Sequence, residues 1–321
     1  MRGVQHIEVS NRDAKFEFDL YRNITIINGD SGTGKTTLFN MIVDYTRNKE
    51  NSGVNLSCDK KCIALLSTNN DWISNIKKIK DSIVFIDEGS RFITSREFAK
   101  TIKKTDNYYV LFTREEIHEL PYSVEEIYEI KSSKKYHTLV KRYKEKSSHY
   151  YINGACKKES KIEVVFVEDQ KSGYEFYNEY FKNMNIKCVS TKANSYIFKY
   201  LCDNLNKNLL IVADGAAFGS QMNKIELLIA NRKNIFLCLP ESFEWLILKS
   251  GLINKKAITN ILNNPSNYID SNRYFSWEEF FTDCLCNESK NGVFEYSKKR
   301  LNRNYLIKKN SNKILKEILD I

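Results

Sequence analysis

No apolar run in the 321 residues approaches 18, the length a membrane-spanning helix needs. The opening Met1-Arg-Gly-Val-Gln-His lacks the apolar stretch of a signal peptide. The expectation is therefore a soluble, cytoplasmic protein without membrane contact. The eight cysteines are scattered, and the closest pairs, Cys58 with Cys62 and Cys284 with Cys286, have no second pair at zinc-ribbon spacing. They read as reduced, mostly buried thiols. Three prolines beside many Asn, Lys, Ile and Tyr point to an AT-rich coding background as much as to selection. There is no internal repeat and no extended low-complexity segment, and no guanine-reading Asn-Lys-x-Asp in a suitable place.

Glycine is scarce too, 12 in all, which sharpens the meaning of Gly29-Asp30-Ser31-Gly32-Thr33-Gly34-Lys35-Thr36-Thr37. This stretch follows the apolar run Ile24 to Ile27 and precedes a helical pattern reaching about Arg47. Glycines let the backbone curl so that successive N–H groups face a phosphate, and a helix start adds its positive dipole end. At this spacing Lys35 reaches the β- and γ-phosphates and the Thr36 hydroxyl reaches Mg²⁺. The segment predicts a nucleoside triphosphate site, with ATP favoured over GTP. Ser82-Ile-Val-Phe-Ile-Asp87-Glu88 is an apolar strand ending in two carboxylates, a Walker B pattern. It offers Asp87 to the metal and Glu88 to the attacking water.

At this length two domains are expected. Val4 to Val9 and Lys15 to Leu20 alternate as a hairpin. The strand Cys62 to Leu66, the helix Asp71 to Lys80, the Walker B strand, a helix opened by Thr94-Ser-Arg-Glu97 and the strand Tyr108 to Phe112 alternate as in a parallel sheet covered on both faces. Val124 to Ile130 and Tyr136 to Tyr143 close a first domain, residues 1–150. The polar segment Lys144 to Ser160 reads as a linker. From 160 to 321 the β/α pattern restarts: strands Ile162 to Val167, Ile186 to Val189, Leu209 to Ala213 and Ile235 to Leu239 alternate with helices at Ser172 to Met184, Asn194 to Leu205 and Gln221 to Arg232. A helical tail follows, with Ser276-Trp-Glu-Glu279 as a capping box. The fold class is α/β: a parallel-sheet nucleotide domain and a smaller second β/α domain.

The first 143 residues resemble the nucleotide-binding domains of the ABC and SMC-like ATPases, within the wider class of P-loop NTPases. The resemblance implies an Mg²⁺-dependent ATPase. It also marks Arg114, where that pattern has a histidine touching the γ-phosphate, as a sensor or finger. Only about 50 residues separate the two motifs and no Ser-Gly-Gly signature lies between them, so the usual ABC dimer does not carry over and a minimal AAA-like ATPase fits equally. The second domain resembles the Toprim fold of topoisomerases, primases and the overcoming-lysogenization-defect nucleases. That resemblance implies Mg²⁺ on Glu168 and Asp214 at strand ends. Ala216 stands where the family's second aspartate belongs, Ser172 where some relatives carry an acid, and Glu241 and Glu244 are nearby substitutes. Asp214 and Glu241 have a purely structural alternative, as caps of the turn at Gly215 and of the helix after Pro240. The domain pairing resembles ATPase-nucleases of prokaryotic defence or mobile elements.

The net charge of +10 allows contact with a polyanion. It gathers in Lys131 to Lys146, with Lys134, Lys135, Lys141, Arg142 and Lys144, and in Lys298 to Lys316, with Lys299, Arg300, Arg303, Lys308 and Lys309. Tyr296 and Tyr305 in the second stretch are candidates to stack on bases. DNA or RNA, a partner protein and a second copy of the chain are the expected partners. A nucleic-acid enzyme, an ATP-driven switch with a non-catalytic second domain, and a small-molecule phosphotransferase all remain open.

Overall fold

The computed structural model describes residues 1–66, 71–144, 147, 150–156 and 162–319. The polar segment read as a linker lies partly outside the described residues. The chain divides into two compact units, Met1–Tyr143 with Asn264–Phe275, and Lys144–Asn263 with Ser276–Ile321. The second is the larger by residue count, so the expectation of a smaller second domain is corrected. Among the described residues no helix is long and apolar enough to cross a membrane. The eight cysteines are reduced thiols rather than disulfide partners.

Unit 1 contains β1 (Gln5–Ser10), β2 (Lys15–Leu20), β3 (Ile24–Ile27), α1 (Lys35–Asn48), β4 (Asn55–Ser57), β5 (Lys61–Leu65), α2 (Trp72–Lys78), β6 (Ser82–Ile86), α3 (Arg96–Ile102), β7 (Tyr108–Phe112), β8 (Ile127–Ser133) and β9 (Tyr136–Lys141). Its nine strands run β4-β1-β2-β9-β8-β3-β7-β6-β5. The sheet is mixed rather than parallel throughout. Strands β8, β3, β7, β6 and β5 are parallel neighbours, while the β1–β2 and β8–β9 hairpins pair antiparallel. Short turns can only reverse a strand, whereas a parallel neighbour needs a crossover. Every residue of β3, β6 and β7 is buried, as a strand covered on both faces requires. Alternation in β1 instead sends Gln5, Ile7 and Val9 inward.

One capping assignment needs correction. Ser95, not Thr94, caps α3, its hydroxyl accepting from the Phe98 N–H at 3.1 Å, while the Thr94 hydroxyl turns back to the Arg91 carbonyl. Asn264–Phe275 belongs to unit 1 through local bonds: the Met1 ammonium meets Asp270 at 3.2 Å, Gly3 N–H donates to the Ser266 carbonyl, and the Asn23 amide donates to the Phe275 carbonyl.

Unit 2 contains β10 (Tyr150–Ile152), β11 (Val164–Val167), α4 (Ser172–Lys182), β12 (Lys187–Ser190), α5 (Asn194–Cys202), β13 (Leu209–Val212), α6 (Gly219–Ile229), β14 (Ile235–Leu239), α7 (Phe243–Lys249), α8 (Lys256–Asn263), α9 (Trp277–Ser289) and α10 (Lys308–Leu315). Its sheet is all-parallel in the order β10-β14-β13-β11-β12. The chain moves from β11 outward to β12, then returns to place β13 on the other side of β11. The order thus reverses between β11 and β13, and a crevice opens at the carboxyl ends of such a strand pair. Gly215 lets the end of β13 close on β14: a Cβ there would stand 2.9 Å from the Leu239 carbonyl oxygen. Ser276 caps α9 as its sequence indicates, accepting from the Glu279 N–H.

Candidate functional site

The loop after β3 is built on three left-handed glycines, Gly29 (φ 138°), Gly32 (φ 80°) and Gly34 (φ 101°). Side chains with a Cβ are strained there, so the sequence pattern and the backbone path explain each other. Gly34 is the N-cap of α1, and its carbonyl accepts from the Leu38 N–H at 2.9 Å. The first turn of α1 carries no acidic side chain, which leaves the positive end of the helix dipole available to an anion. Lys35 is only 6% exposed. Its ammonium donates to the loop's own carbonyls, at Gly29 and, at 2.9 Å, at Asp30. A bound triphosphate would exchange those acceptors for phosphate oxygens. The Thr33 hydroxyl donates to the Asp30 carbonyl, pinning the loop's interior.

Strand β7 lies between β3 and β6, so the carboxylates ending β6 approach the loop from one strand beyond the nearest neighbour. Asp87 is partly exposed and Glu88 exposed. Thr113 and Arg114 end β7. The Thr113 N–H donates to the Ile27 carbonyl at 3.2 Å, and its hydroxyl forms a turn with Glu115. The Arg114 guanidinium pairs with the Glu88 carboxylate at 3.2 Å. An open cleft of about 770 Å³ is lined by Glu88, Gly89, Ser90, Arg91, Thr113 and Arg114. Burial holds the Lys35 ammonium below the usual lysine pKa. Glu88, Asp30 and Asp87 act against that shift and Arg114 adds to it, so these five charged groups share one electrostatic site. Neither Thr36 nor Asp87 has a side-chain hydrogen bond or ion pair among the described residues, and a hydroxyl with a carboxylate is a donor set suited to Mg²⁺. Asp30, Ser31 and Thr37 lie in the same loop and first turn, as their positions require.

In unit 2 the structure puts Glu168 and Asp214 at the ends of neighbouring strands, with the Asp214 N–H donating to Glu168 at 3.1 Å. Asp214 makes no side-chain cap at Gly215. Ser242, not Glu241, caps α7, accepting from the Trp245 N–H at 3.2 Å, and Glu241 accepts from the Asn153 amide. Asp169 is engaged by its own loop, receiving the N–H groups of Lys171 at 2.9 Å and Gly173 at 3.1 Å. Glu244 is buried and accepts from the Tyr296 hydroxyl at 2.7 Å. Glu278 accepts from the Lys298 ammonium at 2.6 Å. Burial raises the pKa of Glu168 to about 7, lifts that of Asp214 well above the ordinary carboxylate value and raises that of Glu244. Among the described residues no three His, Cys, Asp or Glu side chains gather as a metal ion needs.

The basic tail presents Lys299, Arg300, Arg303, Lys308 and Lys309 to solvent. Tyr296 and Tyr305 are 4% and 0% exposed, so the expectation that they stack on bases is corrected: Tyr305 donates to the Phe294 carbonyl and packs inside. In the earlier basic stretch Lys141 pairs with Glu125 at 2.7 Å, while Lys131, Lys134 and Lys135 are exposed around the β8–β9 turn; Lys146 lies outside the described residues. Sequence reasoning missed Lys298, which hides in a Lys-Lys-Arg run, and Glu278, which reads as helix-start chemistry. Comparison with family models, with curated proteins and with solved structures gave no match.

Proposed function

We propose that this chain binds ATP with Mg²⁺ and hydrolyses it, and that unit 2 couples the nucleotide state to contact with a nucleic acid. The observation that carries the reading is the loop of three left-handed glycines at the head of α1, with a lysine at its end and two carboxylates delivered from β6. A tight turn without a ligand has no need of this set of groups. Lys35 would hold the β- and γ-phosphates, Thr36 and Asp87 the metal, and Glu88 would orient the attacking water. Bound there, Mg²⁺ neutralises phosphate charge. Arg114, half exposed and paired with Glu88, is assigned to the γ-phosphate.

The five exposed cations of the tail support contact with nucleic-acid phosphates, without stacking by Tyr296 and Tyr305. A second reading has a specific observation in its favour. Glu168, Asp169, Glu244 and Glu278 all have partners within the chain, which favours a non-catalytic unit 2 that signals the nucleotide state to a partner protein. Salt-sensitive DNA binding supports the first reading; its absence, with no cleavage in Mg²⁺ or Mn²⁺, leaves the second. The ATPase assignment itself is tested by Lys35→Ala, which is expected to abolish nucleotide binding and turnover. Retained ATP affinity with retained hydrolysis refutes it.

A further inference from the structure

We infer that Cys58 and Cys62 form an oxidant-sensitive dithiol in unit 1, a modification site at which a hydroperoxide converts two thiols into one disulfide. The inference is independent of the ATPase reading. Topology sets the place. β4 and β5 are the two outermost strands of the nine-stranded sheet, yet only residues 58–60 separate them in the chain. Four residue steps span at most about 14 Å, so the sheet curls until its two edges approach each other. Cys58 directly follows β4, and Cys62 is the second residue of β5. Cys62 lies inside the apolar cluster that includes Leu38, Phe39 and Ile42 of α1, and Cys58 packs against that cluster.

The two sulfurs share the main chain of one residue. The Lys60 N–H donates to Cys58 Sγ at 3.4 Å, and the Cys62 S–H faces the Lys60 carbonyl at 3.8 Å. The Cys62 thiol has the Cys58 sulfur as a second acceptor. Exposure divides their roles, since Cys58 is partly exposed and Cys62 only 2% exposed. The reachable thiol is also the more acidic. Donation from Cys62 pulls the Cys58 pKa down to about 7, helped by the Lys60 N–H and by His6 on β1, against partial burial and Asp59. The same bond, with burial, raises the pKa of Cys62. His6 is paired with Asp19 at 2.7 Å and Lys60 with Asp81 at 2.6 Å, which leaves thiol and main-chain donors as the chief stabilisers of the thiolate.

Other neighbouring cysteines lack this division. Cys156 and Cys238 also share a hydrogen bond, but they are 2% and 0% exposed, out of an oxidant's reach. Cys284 and Cys286 stand two residues apart on α9 and so point to different faces of the helix. At the dithiol of unit 1, the Cys58 thiolate attacks the peroxide O–O bond. An S–O bond forms, the departing oxygen takes up a proton and leaves as water, and Cys58 becomes a sulfenic acid. The Cys62 sulfur then attacks Cys58 Sγ, so that the S–S bond forms, the S–O bond breaks and the Cys62 proton leaves with the hydroxyl as a second water. Two thiols lose two electrons, and one hydroperoxide is reduced by two. The disulfide closes a loop of five residues, 58–62, and ties the two edges of the sheet together.

The test treats the full chain with hydrogen peroxide, quenches it with catalase, blocks remaining thiols with N-ethylmaleimide and maps the products by mass spectrometry. The wild type should lose two hydrogens in a bond between Cys58 and Cys62 that a dithiol reductant reverses. Cys62→Ala should stop at a Cys58 sulfenic acid, captured by dimedone. Before oxidation, Cys58 in the folded chain should alkylate at pH 7 at least ~5-fold faster than in a free peptide of residues 55–65. A thiol with pKa near 7 is about half ionised there, against about 3% for an unperturbed one, and partial burial takes back some of that gain. Should Cys62→Ala fail to fold, the wild-type map and the alkylation rate decide alone. Cys58 and Cys62 still reduced in excess peroxide overturn the inference. So does a wild-type chain in which Cys58 is oxidised without linking to Cys62, or an alkylation rate no higher than the peptide's.

Discussion

At the carboxyl edge of the first sheet, Asp87 and Glu88 reach solvent beside a glycine loop, and among the described residues the only ion pair on them is the open contact between Glu88 and Arg114. At the corresponding edge of the second sheet, Glu168 accepts a main-chain N–H, Glu244 a tyrosine hydroxyl and Glu278 a lysine. Both edges follow the same rule, that parallel strands deliver side chains to one end. They differ in what the rest of the chain does there. In unit 1 the surrounding loops leave room for a ligand, whereas in unit 2 α7, α9 and the tail bring partners of their own. An acid at a strand end therefore marks a potential site, and the elements that arrive later decide whether it is open.

The largest effect that would sharpen this contrast is on catalysis at the open edge. Glu88→Gln keeps the shape and removes the charge, so the variant is expected to bind ATP and to turn it over at least ~10-fold more slowly, as loss of a general base implies. Single-turnover hydrolysis with separately measured ATP affinity checks this. Wild-type turnover in the variant moves the base elsewhere and breaks the comparison.

A smaller effect distinguishes the closed edge by pH. Burial raises the pKa of Glu168 to about 7, and those of Asp214 and Glu244 in the same direction. A carboxyl whose folded pKa exceeds its unfolded value binds more protons when folded. Its contribution to stability is complete below the ordinary carboxylate pKa and is lost as pH rises through the folded value. The melting temperature should therefore fall between about pH 5 and pH 8. Buried Glu126 in unit 1, also raised to about 7 by burial against the pull of Arg22, contributes in the same sense, so the variant Glu168→Gln is needed to isolate unit 2. It should flatten the decline; an unchanged slope removes Glu168 from the account. Lys298, with its pKa raised, loses its charge only above this window and adds nothing to the slope.

The loop Gly29 to Thr36 was legible because left-handed backbone is a demand that a single residue type meets, and β3, β6 and β7 because buried strands are written as continuous apolar runs. The hairpin over β1 and β2 was legible by alternation. What escaped depends on partners distant in the chain. β4 and β10 are three residues each, too short to show a period, and exist because β1 and β14 offer them an edge. Asn264–Phe275 belongs to unit 1 because the Met1 ammonium and Asp270 meet across most of the sequence. Thr94 and Ser95 are both good caps, and only the path of the preceding turn, with Thr94 bonded back to Arg91, chooses between them. Glu168 and Glu244 read as acids near the strand ends, but Glu278 and Lys298 have no local signature, because each taken alone reads as helix-start chemistry or a basic run. Tyr296 and Tyr305 among lysines looked like a stacking surface, yet their rings are buried within the tail while Lys299, Arg300, Arg303, Lys308 and Lys309 face out.

The finest test of the contrast is Arg114→Ala. The pair with Glu88 is more than a third exposed on both sides, and exposed pairs contribute about 0–1 kcal/mol, so the melting temperature should scarcely move. Its effect on turnover separates two roles. If Arg114 meets the γ-phosphate, its loss slows hydrolysis by less than loss of Glu88 does, because Lys35 and the loop amides still hold the phosphates. If it serves only to restrain Glu88 before nucleotide arrives, its loss frees the carboxylate, and turnover is unchanged or faster. The open edge would then carry a restraint of its own, built from one arginine, and the two sheet edges would differ in the strength of the chain's grip on its carboxylates rather than in kind.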